Sequence, residues 1–309
     1  MRDGSIRPRK RRRYKPSVVR SYERALGLLP EQRERAPERL LERLGDDRLA
    51  DLDRRDVQAY ANRLLANGWG AATVHNQLDP LRVIVRRARD RDELATDPTE
   101  RLDLPDREGT RDRIPDPDEA ARLIDRLPEV DRALWATAFY AGLRRGELRA
   151  LRWRDVDLAA GVIRVRRGWD DVEGEQDVKS AKSRRDVPIV GALRQLLRDH
   201  QMASGRRASD LVFGLTEAAP FVPSSVRKRA LDAWDGLETY SLHEARHCFA
   251  SIMSAAGVPI KDVSEWMGHA SIAITADRYG HLFRDAHERA VEKVDSFLGA
   301  ASQPRLREV

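Results

Sequence analysis

Apolar residues recur at helical spacing through most of the chain. After Asp53 they stand three or four positions apart until Asn67-Gly68, at Val57, Tyr60, Ala61, Leu64 and Leu65. This spacing predicts an amphipathic helix, with Asp53 as its cap and Asn67-Gly68 as its stop. The same pattern predicts helices over residues 71–89, 118–127, 131–141 and 146–151, and again from 191 to the end of the chain.

A short interval has strand character instead. Apolar and basic residues alternate over 161–166, a turn rich in Asp, Glu and Gly follows, and 179–189 ends in Val-Pro-Ile. Alternation with period two indicates a strand, and the second segment is its returning arm. The predicted fold class is therefore mainly α with one small antiparallel β-sheet, an α+β arrangement.

Charged and turn-forming residues divide the chain. Residues 106–117 are charged, contain Gly and Pro and lack periodicity, which is typical of a linker. We expect a helical domain over 17–105 and a second domain over 118–300, with a basic arm over 1–16 and a tail over 301–309. A length of 309 residues fits two domains of about 100–200 residues each.

Positive charge is concentrated at the start of the chain. Its net charge is +6, but the first twenty residues contain nine Lys or Arg and one Asp, so the remainder is slightly acidic. A basic arm of this kind favours nucleic acid as a partner. A solvated tail or a nuclear localisation signal is the alternative interpretation.

Several classes of protein do not fit the sequence. No stretch approaches the ~20 apolar residues of a membrane span, and no apolar segment follows the basic start, so we expect neither a membrane protein nor a secretory signal. Cys248 is the single cysteine, which excludes a disulfide framework and a cysteine-based zinc site and fits a reducing cytoplasm.

A helix begins at Ser241 with candidate chemistry in its first turns. Ser241 and Glu244 form a capping box, and His243 and Arg246 are three residues apart on one helix face. A helix N-terminus favours anions, so the pair could bind a phosphate. On their own, the two are also compatible with an ordinary surface pair.

The same residues match the H-E-x-x-H pattern of zinc metalloproteases. His243 and His247 would bind zinc, Glu244 would be the base and Glu265 a possible third ligand. The capping role of Glu244 and the position at a helix start argue against this interpretation.

Arg144 lies in a tight connection between two helices, within Gly142–Leu148. A guanidinium held there could bind two phosphate oxygens at once, because its planar fork matches their spacing. The alternative is a helical corner with surface charge.

Four short motifs occur in a fixed order along the chain, and the ordered set is a much stronger signal than any one motif. Gly-Leu-Arg-x-x-Glu-Leu lies at 142–148, His-x-x-Arg-His at 243–247, Met-Gly-His at 267–269 and Thr-x-x-x-Tyr-x-His at 275–281. Together they resemble the tyrosine site-specific recombinases, the phage-integrase family that includes the Xer-type enzymes, over roughly residues 17–300. Met267 replaces the family's usual Leu.

The hairpin adds a fifth motif, since Lys179–Pro188 resembles the family's Lys-Thr-x-x-Ser-x-Arg-x-Val-Pro segment. The resemblance assigns the family's hairpin lysine to Lys179, with Lys182 as the fallback. Two of only seven lysines lie here in a chain with fifty arginines, which supports a chemical need for an amine.

The resemblance implies a two-domain DNA clamp with an all-α N-terminal core-binding domain. It also implies transesterification at a DNA phosphodiester through a 3′-phosphotyrosine, without metal, ATP or another cofactor. Tyr279 would be the nucleophile and His243 its base, while Lys179 would protonate the leaving oxygen. The phosphate would be bound by Arg144, Arg246 and His269. Glu147 would support Arg144.

Implied partners are double-stranded DNA recombination sites and a homotetramer on two duplexes joined through a Holliday junction. An accessory DNA-bending or directionality protein is possible. The last helix has an apolar stripe that could dock on a neighbouring subunit or on its own domain, at Ala290, Val291, Val294, Phe297 and Leu298. A type IB topoisomerase, which shares this chemistry, is the other alternative.

Overall fold

The structure is a computed structural model that describes residues 14, 16–29, 37–106, 115–178, 183–280, 294–296 and 298. The chain divides into two compact units between residues 112 and 113. In the described ranges no helix has the length and apolar character that a membrane crossing requires. Most of the basic arm, the linker residues 107–114 and the hairpin residues 179–182 lie outside the description.

The first unit consists of four helices in its described part: α1 (Pro16–Leu26), α2 (Leu40–Leu44), α3 (Arg54–Ala66) and α4 (Ala71–Arg89). The side chain of Asp53 accepts hydrogen bonds from the backbone N–H groups of Arg55 and Asp56, so α3 begins where the sequence predicts. Its apolar stripe is buried against α4 in one core that contains Val57, Tyr60, Leu64, Val74, Leu78 and Val85.

The second unit contains the other helices: α5 (Pro117–Arg126), α6 (Glu129–Ala141), α7 (Arg145–Ala150), α8 (Gly191–Ser204), α9 (Pro223–Ala233), α10 (Leu242–Ala255), α11 (Ile260–Met267) and α12 (Ile272–Tyr279). Helix α6 is buried on nearly every face and packs against α8 and α10. Its Trp135 meets Trp234 with ring centroids 4.7 Å apart. The α6 helix is therefore the centre of this unit's core.

A three-stranded antiparallel sheet lies in the second unit, in the order β1 (Val156–Asp157), β2 (Val162–Val165) and β5 (Arg185–Pro188). Strand β2 pairs with β5 from Val162 opposite Pro188 to Val165 opposite Arg185. The mainly helical fold class and the pairing of the two predicted hairpin arms are thus confirmed.

The expectation of a single sheet was wrong. The stretch interpreted as a turn forms a second antiparallel pair, β3 (Arg167–Asp170) and β4 (Gly174–Asp177). Its strands contain almost no apolar residues, so no alternation of apolar and polar positions indicates them in the sequence. Salt bridges hold the hairpin instead, including those of Glu175 with Arg152 and with Arg167.

Candidate active site

Two helix ends in the second unit fix one guanidinium. Helix α6 ends at Gly142, whose φ is +61°, and α11 ends at Gly268, whose φ is +63°. Arg246 of α10 donates hydrogen bonds to the backbone oxygens of Gly142 and Met267. Carbonyls at a helix C-terminus lack intrahelical partners and carry partial negative charge. They therefore hold the buried guanidinium of Arg246 in one orientation.

Arg144, which precedes α7, also bonds the end of α11. Its Nη2 donates to the backbone oxygen of Gly268 at 2.7 Å, and its Nη1 donates to Glu147 Oε1 at 2.9 Å. The other carboxylate oxygen, Glu147 Oε2, accepts the backbone N–H of Arg144 at 2.8 Å. The side chain of Arg144 is still 40% exposed, so a ligand can reach it.

A buried ion pair supports both arginines. Arg185 of β5 donates to Glu147 through two parallel hydrogen bonds of 2.8 and 2.7 Å, and its side chain is 2% exposed. It also donates to the backbone oxygen of Trp266. The pair thereby joins α7, β5 and the end of α11, which are distant in sequence.

The charges around Glu147 determine its ionisation. Burial alone would raise the pKa of Glu147, but the hydrogen bonds and charge of Arg185, together with the charges of Arg144 and Arg246, lower it to about 2. Burial and the charge of Arg144 in turn lower the pKa of Arg246 to about 9. The cluster therefore holds a carboxylate among three guanidinium groups at neutral pH.

Tyr279 is the last residue of α12 and is 1% exposed. Its hydroxyl forms a hydrogen bond with Nδ1 of His247 on α10. Burial raises the pKa of Tyr279, although the charges of Arg246 and Arg278 oppose this effect. The phenol is therefore neutral at pH 7 and lies beside the positively charged cluster.

The ring of His269 also lies near the ring of Tyr279. The two rings are nearly parallel, with centroids 6.4 Å apart. Its Nδ1 is 2.7 Å from the hydroxyl of Thr275, which is buried one turn before Tyr279. Burial, followed by the charges of Arg246 and Arg144, lowers the pKa of His269 to about 4. This imidazole is therefore neutral and fixed in orientation.

His243 lies in the first turn of α10. Its ring meets the ring of His247 edge to face, with centroids 4.7 Å apart. Burial and then the charge of Arg246 lower the pKa of His243. The structure thus brings His243 beside His247, whereas the hydrogen bond of the Tyr279 hydroxyl goes to His247.

The capping box predicted at the start of α10 is present. Ser241 accepts the backbone N–H of Glu244, and Glu244 accepts the backbone N–H of Ser241 at 2.7 Å. Glu244 is thus occupied at the helix end, as the argument against a zinc site requires. Within the described ranges, no group of three His, Cys, Asp or Glu side chains is arranged to hold a metal ion.

The structure brings five of the six predicted catalytic residues into one region of the second unit: Arg144, His243, Arg246, His269 and Tyr279. The sixth, Lys179, and its fallback Lys182 lie outside the described residues. Glu147 supports Arg144 as expected.

Sequence reasoning missed two residues of the site. Arg185 had no assigned role, although its alternation with Val187 on β5 indicates that it faces inward. His247 entered only as a possible zinc ligand, although it lies one helical turn from His243.

Comparison with known proteins gives consistent results. A family model described as "Phage integrase family" matches residues 115–285. The chain is 29% identical to a protein named tyrosine recombinase XerC-like from Caldanaerobacter subterraneus subsp. tengcongensis, over 78% of this chain and 70% of that protein. The transposon Tn1549 integrase, solved with transposon right-end DNA, has a similar fold, with a TM-score of 0.72 at 19% identity, covering 91% of this chain and 94% of the other.

A lambda integrase tetramer bound to a Holliday junction is also similar in fold. Its TM-score is 0.52 at 18% identity, covering 82% of this chain and 70% of the other.

Replacing Glu147 by Gln should remove the counter-charge of a buried guanidinium. Breaking a buried ion pair typically costs about 3–5 kcal/mol, so we expect Glu147→Gln to lower the free energy of unfolding of the second unit by that order. Urea denaturation followed by circular dichroism measures the loss. Asp186→Asn is the control, because its pair with Arg166 is partly exposed and should cost at most about 1 kcal/mol. Equal losses in both variants would contradict the importance of the buried pair.

The same pair predicts a dependence on pH. The pKa of Glu147 is about 2 in the folded protein, well below its ordinary value near 4.3, so its contribution to stability is present above that ordinary value. It is lost as the pH falls towards 2. We therefore expect the difference in stability between the parent chain and Glu147→Gln to be constant above about pH 5 and to shrink below pH 4. Denaturant midpoints between pH 2.5 and 7 test this, and a constant difference would contradict it.

Gly268 tests the packing around Arg185. A Cβ added at Gly268 would lie 3.0–3.1 Å from Nη1, Cδ and Cζ of Arg185, and the backbone of Gly268 has a positive φ. Gly268→Ala should therefore lower the free energy of unfolding by more than the roughly 1–2 kcal/mol that an alanine with a positive φ costs. For Gly205→Ala we expect a loss of about 1–2 kcal/mol and no more. Gly205 ends α8 with a φ of +61° and has open space around it. Equal losses of unfolding free energy in Gly268→Ala and Gly205→Ala would show that the Arg185 side chain moves aside at no cost.

Proposed function

Since this chain belongs to the phage integrase family, we propose that Tyr279 is the nucleophile with which it cuts and rejoins DNA strands. Its activity is site-specific DNA recombination, that of a tyrosine recombinase. Neither the type IB topoisomerase nor the metalloprotease alternative is favoured by its relatives. The observation that carries the proposal is a neutral phenol beside a buried cluster of guanidinium groups.

The proposed reaction is transesterification at one phosphodiester. Tyr279 Oη attacks phosphorus and leaves a 3′-phosphotyrosine and a 5′-hydroxyl. Lys179 protonates the departing 5′-oxygen, and an imidazole at the start of α10 accepts the phenolic proton, for which the sequence predicts His243. Acid–base assistance of this kind typically contributes about 10²–10⁴ in rate. The 5′-hydroxyl of the partner strand reverses the step.

Arg144 and Arg246 bind the non-bridging oxygens, where negative charge builds in the transition state. Each terminal guanidinium nitrogen has two hydrogens, and one on each already bonds a carbonyl or carboxylate oxygen. The existing bonds therefore orient the groups and leave a second hydrogen on each nitrogen for the phosphate. His269 adds a further hydrogen bond to the phosphate.

Binding has to uncover part of this site. Tyr279 is 1% and Arg246 is 2% exposed in the free chain. A DNA phosphate can reach both only after a local rearrangement, which DNA binding would have to stabilise.

The partners follow from the same proposal. The helical unit over 17–105 acts as the core-type DNA-binding domain and 118–300 as the catalytic domain, joined by the linker at 106–117. Four copies assemble on two duplexes, as in the lambda integrase tetramer on a Holliday junction. The proposal also includes docking of the last helix on a neighbouring subunit. It further includes a helper protein that bends the DNA or sets the direction of recombination. Val294 and Leu298 of that helix are each 55% exposed.

A covalent-trapping assay tests the proposal. The full chain is incubated in EDTA with a library of nicked duplexes, and SDS-resistant protein–DNA adducts are isolated and mapped by mass spectrometry. We expect an adduct on Tyr279 that Tyr279→Phe abolishes, since the phenol oxygen forms the bond. An adduct on another residue, or one that requires zinc, would contradict the assignment. The trapped DNA also identifies the cleavage site.

The basic arm gives a prediction about salt. If residues 2–13 neutralise phosphates, the logarithm of the DNA association constant should fall with the logarithm of salt concentration at a slope near −0.9 per contact, and deleting the arm should reduce the slope. Fluorescence anisotropy with the trapped duplex between 50 and 300 mM salt measures it. An unchanged slope would show that the arm does not contact DNA.

A further inference from the structure

We propose that His247 is the catalytic residue that accepts the phenolic proton of Tyr279 when the phosphotyrosine bond forms. This inference rests on the proposed function and makes one step of it specific. It gives a direct role to a residue that the sequence analysis considered only as a zinc ligand. His243 is then left to act on the phosphate.

The contact itself supports this assignment. Nδ1 of His247 meets the Tyr279 hydroxyl directly, across the interface between α10 and α12. In the proposed arrangement the hydroxyl donates to Nδ1, which requires the imidazole to carry its proton on Nε2. A general base has to lie within hydrogen-bonding reach of the proton that it removes, and His247 already does.

The surroundings of His247 keep it unprotonated. Burial, followed by the charges of His243, Arg278 and Arg246, lowers the pKa of His247 to about 4, while Glu244 opposes the shift. These groups face the imidazole from α10 and α12, together with the Tyr279 hydroxyl. The lone pair on Nδ1 is therefore free to accept the phenolic proton at neutral pH.

A bound phosphate changes this balance in the direction that catalysis needs. Its negative charge beside Arg246 offsets the positive field on the imidazole, and a nearby opposite charge raises the pKa of a base. Proton transfer to Nδ1 therefore becomes favourable when DNA is in place. The free enzyme has a weaker base, which protects the nucleophile from ionising without substrate.

The second nitrogen of His247 is unusual. Nε2 is buried and has no hydrogen-bond partner. Leaving a buried polar atom without a partner costs free energy, and such exceptions deserve an explanation. The contact of Nδ1 with the Tyr279 hydroxyl gives a reason for a histidine at this position in spite of that cost.

The step balances without a further reactant. As the bond from Tyr279 Oη to phosphorus forms, the phenolic proton passes to His247 Nδ1 and gives an imidazolium. The bond from phosphorus to the 5′-oxygen breaks, and that oxygen takes a proton from the Lys179 ammonium. Religation runs in reverse, so the imidazolium returns the proton to the phenol.

The first test needs no DNA. The full chain, with its seven histidines labelled with ¹⁵N, is examined by long-range ¹H–¹⁵N NMR between pH 5 and 8. We expect His247 to be neutral with its proton on Nε2, and its Nδ1 resonance to move in Tyr279→Phe. His200, which bonds the backbone oxygen of Val212 elsewhere in the unit, is the internal control and should not move. A proton on Nδ1, or an Nδ1 resonance that ignores Tyr279→Phe, would overturn the proposal.

The second test measures single-turnover cleavage of a nicked oligonucleotide carrying the trapped sequence, from pH 6 to 9. Asparagine at position 247 places an oxygen near the former Nδ1 and can accept the hydrogen bond, but it cannot take the proton. We expect the parent rate to be independent of pH above 7. His247→Asn should be about 10²-fold slower at pH 7 and should accelerate about tenfold per pH unit, because only the ionised phenol then reacts.

His243→Asn is the matched control one turn earlier on the same helix. We expect it to reduce the rate but to keep the pH-independent profile. A steep profile in His243→Asn with a flat one in His247→Asn would overturn the proposal and make His243 the base, while the proposed function would stand. Absence of an adduct on Tyr279 in the parent chain would instead defeat the proposed function. Thermal melts and DNA affinity, measured for each variant, separate unfolding from a chemical defect.

Discussion

The site depends on one buried carboxylate. Arg144, Arg185 and Arg246 lie close together and their charges repel one another, and two of them, Arg185 and Arg246, are buried. Glu147 makes this arrangement possible, because it accepts hydrogen bonds from Arg144 and Arg185 and attracts Arg246. Removing charges from water costs several kcal/mol per ion unless good geometry and further hydrogen bonds offset the cost. The carbonyls at the ends of α6 and α11 supply those additional bonds.

One carboxylate does not neutralise three guanidinium groups, and the excess positive charge has consequences. It lowers the pKa values of His243, His247 and His269, in each case added to the effect of burial. It also opposes the rise that burial causes in the pKa of Tyr279. The cluster therefore has a net positive charge, and a phosphodiester has the negative charge and the oxygen geometry to bind to it.

Much of this could be predicted from sequence where a local rule applies. The helix at Asp53 and the capping box at Ser241 are set by residues within one turn, so their starts were correct. Strands β3 and β4 could not be predicted, because charge pairs hold them, both between the two strands and with Arg152 outside the hairpin. Arg185 was missed for the same reason, since its partner Glu147 lies 38 residues away in sequence. The ordered motifs predict Tyr279 as the nucleophile, but they could not indicate that its hydroxyl contacts His247.

Burial of Tyr279, the proposed nucleophile, and the excess positive charge act together on the same proton. Burial keeps Tyr279 as a phenol, while burial and then the positive field keep the adjacent imidazole unprotonated, so both partners are neutral before DNA binds. A phosphate that enters this field reduces its effect on the imidazole, which then becomes the stronger base. In the proposed reaction, the same phosphate is the electrophile that receives the charge of the developing phenolate. In the proposed mechanism, ionisation of Tyr279 is therefore coupled to the presence of the phosphate that it attacks.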